Sequence, residues 1–264
     1  MDLTSYDWIV ISSSAGKDSQ AMLDEVVRQA DAQGVDRARL VVVHANLGRM
    51  EWSGTGELAR AQAEHYGLRF EIVKREKGDI LAQADERGKW PSSTCRYCTS
   101  DHKRDQIAKL YTRLANESNL DRPVRILECI GLRAEESPAR AKKEAFTVNK
   151  RATNKTRRHV WTWLPVLDWT EAEVWTRIHE SGVEHHRAYD LGMPRLSCIF
   201  CIFAPKSCLM LAGFHNREVL AECVEIEERI DHQFKKDLSL GMIQDALEAG
   251  ELPPDTIEVF NAQM

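Results

Sequence analysis

The sequence predicts an α/β fold built on a doubly wound, mostly parallel sheet, with a helical cysteine-rich C-terminal extension. Three observations predict it. Short β-rich apolar runs recur at Trp8–Ile11, Leu40–His44, Arg69–Val73 and Val124–Ile130, with helical patterns between them. The run Leu40-Val41-Val42-Val43 is continuous rather than alternating, as fits a strand buried on both faces. The first run empties into Ser12-Ser13-Ser14-Ala15-Gly16-Lys17-Asp18-Ser19, a small-residue loop that leads straight into a helical pattern. Small residues let backbone N–H groups approach an anion, and the following helix N-terminus adds partial positive charge.

Taken in order, the first strand and loop precede a helix carrying Met22, Leu23, Val26, Val27 and Ala30 at helical spacing, stopped near Gly34. The second strand is followed by Asn46-Leu47-Gly48, where a strand's C-terminal end opens onto a ligand crevice. Gly54 to Tyr66 reads as a helix ended by Gly67, and Arg69–Val73 as the third strand. Ile80 to Ala84 is a short helix, and Thr99 to Leu114 a longer one with Ile107, Leu110 and Leu114 on one face. After the fourth strand and Gly131, residues 140–159 hold eight cations against Glu144 and no apolar period, so a long loop on the ligand side is expected. Val160–Leu164 returns to strand, and Thr170-Glu171-Ala172-Glu173 has capping-box spacing for a helix ended by Ser181-Gly182. Val219–Phe234 and Met242–Ala249 are further helices, the last closed by Gly250 and Pro253-Pro254. The expected division is a nucleotide-binding α/β domain over 1–180 and a helical metal- or cluster-binding region over 181–264. No repeat of solenoid length is present.

The chain has 264 residues, enough for a real core, and is 43% hydrophobic and 29% charged, which reads as globular rather than disordered. Its net charge of −5 gives no global attraction to nucleic acid, so any such contact must come from a local patch. There is no apolar run of membrane-spanning length, and MDLTSYDW lacks a basic-then-apolar leader, so a cytoplasmic protein without a membrane partner is expected. Seven cysteines in that compartment are not a disulfide set.

Four constellations carry chemistry. The loop is not a Walker loop, since GxxxxGK[ST] is absent. With ATP there, Ser14, Gly16 and Ser19 would hold phosphates, Lys17 would supply charge, and Asp18 would place Mg²⁺ or order the loop. The bland alternative makes Asp18 a helix cap in an ordinary βα unit. The second constellation is Gly131-Leu132-Arg133-Ala134-Glu135-Glu136-Ser137 with Arg140 beyond, where an arginine can pair with phosphate or sulfate while a carboxylate holds it in place. The third is the cysteine set: Cys95-Arg96-Tyr97-Cys98, Cys198-Ile199-Phe200-Cys201 and Cys208. Two CxxC pairs can close a tetrahedral Zn²⁺ site or hold a [4Fe–4S] cluster, and spacing does not separate the two. Cys208 is a candidate fourth ligand in place of Cys95, or a sulfur carrier, which would want a lowered pKa and some exposure. The fourth is the basic start of the helix after Cys98, with Lys103 and Arg104 able to reach an anionic substrate or simply to face water. Arg140, Arg151, Arg157 and Arg158 are further candidates for binding a polyanion such as DNA.

Ser14-Ala15-Gly16-Lys17-Asp18-Ser19 resembles the SGGxDS loop of the PP-loop (N-type) ATP pyrophosphatases, with Ala15 where Gly is common. Ala is tolerable there if the residue needs no positive φ. With Arg96-Tyr97-Cys98-Thr99, Gly131–Ser137, Leu164-Pro165-Val166-Leu167-Asp168-Trp169-Thr170, Tyr189-Asp190-Leu191-Gly192 and Arg195–Cys201 in that order, the chain resembles the phosphoadenosine phosphosulfate (PAPS) reductase family over residues 7 to 210. The resemblance implies an adenine-nucleotide α-hydrolase-like fold, ATP or an adenylyl sulfate on residues 12–19, and adenosine near His44, Ala45, Asn46 and Leu47. Sulfonucleotide reductases of this family use a C-terminal cysteine, and no cysteine follows Cys223 here. The cysteine pattern looks more like the ATP pyrophosphatases of DNA phosphorothioation. The reading is therefore an ATP pyrophosphatase that adenylylates a substrate oxygen for sulfur transfer. Catalytic roles fall to Lys17, Asp18, Arg133 and Cys208, a sulfur donor such as a cysteine desulfurase is the partner, and self-assembly is open. The alternatives are an adenylyl-sulfate reductase and a non-catalytic, metal-stapled nucleic-acid-binding subunit.

Overall fold

The structure, a computed structural model, describes residues 1–253; Pro254 of the expected closing Pro-Pro pair lies outside the described residues. The chain divides into two compact units, one of Met1–Ala45, Gly54–Val73 and Arg104–His186, the other of Asn46–Ser53, Lys74–Lys103 and the chain from Arg187 onward. The second unit thus draws on two segments from the first half of the sequence as well as on the C-terminal region.

The first unit is the α/β body. Its six strands are β1 (Trp8–Ser13), β2 (Leu40–Ala45), β3 (Arg69–Val73), β4 (Val124–Ile130), β5 (Phe146–Val148) and β6 (Arg158–Trp163), in the order β3-β2-β1-β4-β6-β5. All neighbouring pairs are parallel except β5 with β6. Strand alternation sorts the apolar residues onto two faces. Ile9, Ile11, Leu40, Val42, Leu127 and Cys129 face α1 (Lys17–Ala32) and Ala63 of α2 (Thr55–His65). Val10, Val41, Val43, Ile126 and Val160 face Leu110, Tyr111 and Leu114 of the helix Asp105–Glu117. Helices on both faces make the sheet doubly wound, as predicted. Its strand order reverses at β1, which lies between β2 and β4, and ligands of open α/β sheets bind outside the carboxyl ends of strands at such a reversal. The helix Glu171–Ser181 packs on α1 through Ala21, Val174 and Ile178, opened by the predicted Thr170–Glu173 capping box.

The second unit is helical. The helices Ile80–Arg87, Lys206–His215, Arg217–Arg229 and Leu240–Glu248 enclose Leu81, Trp90, Phe200, Leu209, Leu220, Ile226, Phe234 and Ile243. Its charged groups act as clasps. Asp79 caps the helix Ile80–Arg87 by accepting from Ala82 N–H at 3.0 Å and is gripped by the Arg49 guanidinium at 2.7 Å. Buried Glu227 accepts from the backbone N–H groups of Phe234, Leu240 and Gly241 at 2.5, 2.7 and 3.2 Å.

Three features depart from the sequence reading. Residues 140–159 are not one loop: Phe146–Val148 forms the antiparallel edge strand β5, folded back on β6 and pinned by Asn149, whose Nδ2 donates to Glu128 at 2.9 Å. Three strand residues amid lysines are too short a run to show as a period. The helix Lys206–His215 was not anticipated because Cys208 to Gly213 are all buried, which leaves no amphipathic stripe. The helix expected from Thr99 starts as a turn at Tyr97–Thr99, widens to a π turn at Ser100–Arg104 and becomes regular only from Asp105. No helix among the described residues is long and apolar enough to cross a membrane.

Candidate functional site

The loop between β1 and α1 lies at the carboxyl end of β1, and its hydroxyls bind its own backbone. Ala15 N–H donates to Ser13 Oγ (3.2 Å), Gly16 N–H to Ser14 Oγ (3.4 Å) and Ser14 N–H to Ser19 Oγ (3.2 Å), while Ser19 Oγ donates to Gly16 O at 2.9 Å. These bonds hold the loop in one shape ahead of any ligand. Ser12 Oγ is buried and meets no hydrogen-bond partner among the described residues. Ala15 is fully buried at φ +56°, so the tolerance expected for Ala does not rest on an ordinary backbone: the residue sits where glycine is favoured, at a cost of about 1–2 kcal/mol. Gly16, in extended conformation, is the cap of α1, so Asp18 is not the cap residue but lies in the first turn, where a carboxylate suits the helix dipole.

The cations at this end of the sheet are buried. Lys17 is 3% exposed, and its Nζ lies 3.3 Å from Glu171 Oε1. Arg133 is equally buried and donates from Nε to Asp18 Oδ1 at 2.5 Å and from Nη1 to Glu135. Burial works against its charge, but Asp18 first and then Glu135 and Glu136 outweigh it, and the guanidinium pKa is held above its ordinary value. The Arg133 N–H donates to Glu136 Oε2 at 3.0 Å, which shapes the turn around it. Gly131 explains how this segment comes so near the loop. A Cβ built there would stand 2.6 Å from Asp18 O and 2.7 Å from Ser19 Cα, so the segment after β4 lies directly on the first turn of α1. Ser12 to Ser19, Gly131 and Arg133 are therefore brought together. His44 is buried with Nδ1 3.1 Å from Ser13 O, and Gly56 lies against its ring; Ala45 ends β2. Asn46 and Leu47 belong to the second unit, where Asn46 Oδ1 accepts from Gly48 N–H at 2.8 Å and Leu47 is buried in the core.

All seven cysteines are free thiols. Those proposed as ligands, Cys95, Cys98, Cys198, Cys201 and Cys208, lie in the second unit. Cys198 and Cys201 share a hydrogen bond that holds Cys201 below the usual thiol pKa against its burial, helped by Phe203 N–H and by the charges of Arg195 and Lys103. The same bond, with burial, pushes Cys198 far up. Burial raises Cys98, with Thr99, Lys103 and Arg96 opposing. Among the described residues no three Cys, His, Asp or Glu side chains converge closely enough to hold a metal ion. The thiols fit iron or zinc in donor chemistry, and Cys198 and Cys201 are joined by a hydrogen bond. Cys208 is 3% exposed, and burial, with the charge of Cys201, pushes its thiol up to about 11, the opposite of what a sulfur carrier needs.

The basic candidates divide by partner. Arg140 pairs with Glu136, and Arg151 Nη2 lies 2.7 Å from Asp105. Arg158 turns inward to Thr112 Oγ1 at 2.6 Å and Ala152 O at 2.9 Å. Arg157 is exposed, and Lys103 lies in the second unit with the cysteines. Sequence reasoning missed two carboxylates. Glu171 was read only as part of a capping box, whereas it faces Lys17. Glu128, in the middle of β4, accepts from Tyr111 Oη (2.7 Å), Thr162 Oγ1 (2.8 Å) and Asn149 Nδ2 (2.9 Å). An acid inside an apolar strand was the signal that could have found it.

Residues 8–204 match the model of the phosphoadenosine phosphosulfate reductase domain. An Escherichia phage 186 protein, described as an uncharacterized 37.8 kDa protein in the gpa 5′ region, is 30% identical over 168 residues, 64% of this chain and 48% of its own. The chain thus spans about half the length of that relative. Among solved structures, PAPS reductase from Candida auris in a phosphate complex is 16% identical over 71% of this chain and 79% of its own, with a TM-score of 0.49. The U34-tRNA thiolase NcsA from Methanococcus maripaludis, described with its [4Fe–4S] cluster, is 15% identical over 94% of this chain and 74% of its own, also at 0.49. With its small-residue loop at the sheet's reversal point and a family model that spans most of its length, the chain belongs to the phosphoadenosine phosphosulfate reductase domain family.

Proposed function

We propose that the protein is an ATP pyrophosphatase that activates a substrate oxygen for sulfur transfer, with a backbone phosphate of DNA as the acceptor. The observation that carries the reading is the assembly at the end of β1: a preshaped serine loop on a helix N-terminus, pressed against Gly131 and flanked by buried Lys17 and Arg133. An acceptor oxygen attacks the α-phosphorus of ATP, the new O–P bond forms, and the α–β bridge breaks to release pyrophosphate. Lys17, Arg133 and the first-turn N–H groups neutralise the phosphates, and Asp18 would place Mg²⁺; this step is positioning and electrostatics. The terminal sulfur of a persulfide, delivered by a donor such as a cysteine desulfurase, then attacks the activated phosphorus as AMP leaves, and a second thiol cleaves the remaining S–S bond, leaving the sulfur on the acceptor and the two thiols joined as a disulfide. Adenosine would lie by His44 and Ala45.

Cys95, Cys98, Cys198, Cys201 and Cys208 match zinc or a [4Fe–4S] cluster in donor chemistry, and such a group would supply a soft metal centre for sulfur, but among the described residues they do not converge into a ligand set. The free thiols support a reducing compartment, the cytoplasm. The test is pyrophosphate release from ATP with single-stranded and duplex DNA as acceptors, comparing the parent with Asp18→Asn. Release lost in the variant is expected. Absence of release with every acceptor, or sulfite formed from an adenylyl sulfate instead, would remove the reading.

A further inference from the structure

The β5–β6 hairpin carries more charge than the first unit needs for its fold. In a chain of net charge −5, residues 140–158 hold eight cations and one acid, Glu144. Three of the cations are spent on Glu136, Asp105 and the Thr112–Ala152 contacts, through Arg140, Arg151 and Arg158. Lys142, Lys143, Lys150, Lys155 and Arg157 are all exposed, and none has a carboxylate partner among the described residues. Between them β5 shows Phe146 at 41% and Val148 at 52% exposure, two residues apart and so on one face of the strand. The ribbon is firmly mounted. Asn149 donates to Glu128 and accepts from Ala152 N–H at 3.0 Å, and Thr153 Oγ1 accepts from Val160 N–H at 3.0 Å.

We propose that this hairpin docks a single nucleic-acid strand, whose phosphates meet Lys142, Lys143, Lys150, Lys155 and Arg157 while an unpaired base stacks on Phe146. Cations on both sides of an exposed aromatic match a polymer that alternates phosphate and ring. An acidic peptide would meet the lysines but has no use for the Phe146 face, and a duplex keeps its bases stacked and out of reach. The inference rests on the proposed function for its acceptor class and gives that acceptor a place to bind.

Anisotropy of a fluorescent oligothymidylate, titrated with the whole protein at several salt concentrations and without ATP, tests it. Five phosphate contacts give a log–log salt slope of about −3.5. The triple variant Lys142→Ala, Lys143→Ala, Lys150→Ala should flatten that slope by about 2. Phe146→Ala should weaken binding at least about fivefold with the slope unchanged. A charge-matched triple elsewhere, Lys77→Ala with Lys206→Ala and Lys236→Ala, should change neither. All of these positions are exposed, so the variants should keep the parent's melting curve. The inference is overturned by failure to bind at low salt, by hairpin variants that bind like the parent, or by duplex binding as tight as single-strand binding and indifferent to Phe146. Equal competition by polyglutamate, or a self-association that the hairpin variants abolish, would assign the surface to another occupant. Binding without pyrophosphate release would leave the hairpin assignment standing and remove only the adenylylation reading.

Discussion

Gly131→Ala tests the closest approach in the first unit. The added Cβ would stand 2.6 Å from Asp18 O and 2.7 Å from both Asp18 C and Ser19 Cα, where ordinary contact begins at 3.4 Å. Relief needs a separation of about 0.8 Å, and neither side is a flexible side chain: one is the strand-to-turn backbone after β4, the other the first turn of α1. Overpacking of this kind costs about 1–3 kcal/mol, and rigid backbone on both sides puts the expected loss at the upper end, about 2–3 kcal/mol. For a chain of this size that lowers the melting temperature by about 5–10 °C. A displacement approaching 1 Å between Arg133 and the serine loop should also reduce turnover by about ten- to a hundredfold in molecules that remain folded. Thermal melts followed by tryptophan fluorescence read the first effect and pyrophosphate release the second. Gly241→Ala is the matched control: its Cβ meets nothing closer than 3.6 Å and it sits in the helix Leu240–Glu248, so it should hold or raise stability by up to about 1 kcal/mol. If Gly131→Ala melts with the parent, the close approach is not what fixes the loop against β4 and the reasoning fails.

Three further predictions concern charged groups. Removing Arg133 as Arg133→Ala strands Asp18 and should cost about 2–4 kcal/mol in urea unfolding, while Arg133→Lys keeps the charge but not the fork; a double-mutant cycle with Asp18→Asn should return a coupling of at least about 1 kcal/mol. Burial would raise the Asp79 carboxyl, but hydrogen bonds from Arg49 and from the N–H of Ala82 outweigh it and bring it from 3.8 to about 2. A folded-state pKa below the unfolded value adds stability that is full above 3.8 and is lost as pH falls through about 2, worth about 2 kcal/mol. Asp79→Asn should therefore lose about that much at neutral pH and meet the parent's stability near pH 2, and a constant gap down to that pH would contradict the assignment. Glu227→Ala leaves three backbone donors without their acceptor and should cost about 3 kcal/mol or more, with Glu227→Gln intermediate because its amide offers one acceptor oxygen to a site that uses two.

Five of the six strands were legible because each is a compact run of β-branched and apolar residues, and the loop was legible because small residues follow such a run directly. The edge strand β5 was hidden: three residues among cations carry no measurable period, and what holds them is Asn149 reaching Glu128 on β4. The role of Glu171 was hidden for a different reason. Its local signature, the capping box, is genuine, but its pairing with Lys17 depends on how the helix Glu171–Ser181 lies on α1. The CxxC pairs were visible as pairs, whereas the identity of the acidic thiol was not, because that depends on which sulfur accepts the hydrogen bond within a buried couple. Residues 46–53 and 74–103 join the C-terminal region in the second unit, a tertiary fact that no linear boundary can express.

Arg133 shows how the site can be held ready for an anion without a competing anion closing it. Its guanidinium has five N–H donors in a fixed fork, and two carboxylates engage it unequally. Asp18, 13% exposed, takes Nε; Glu135, 55% exposed, takes Nη1. An exposed carboxylate contributes little to such a pair because water screens it and its own side-chain freedom opposes the contact, whereas a largely buried one is strongly held. Under the proposed function, an arriving phosphate would displace the Glu135 contact and leave Asp18 in place. Under the proposed function Asp18 would have two tasks that do not conflict, since Oδ1 fixes the orientation of Arg133 while the carboxylate as a whole suits the positive end of the α1 dipole. Glu135→Ala also removes the acceptor of the Glu171 N–H (2.8 Å), so it should lower stability by about 1 kcal/mol while tightening nucleotide binding by removing a competitor for the fork, and Asp18→Ala should weaken that binding by freeing the arginine to turn. Binding of a non-hydrolysable ATP analogue by calorimetry separates the two, and equal losses in both variants would mean that the carboxylates hold the arginine as one unit.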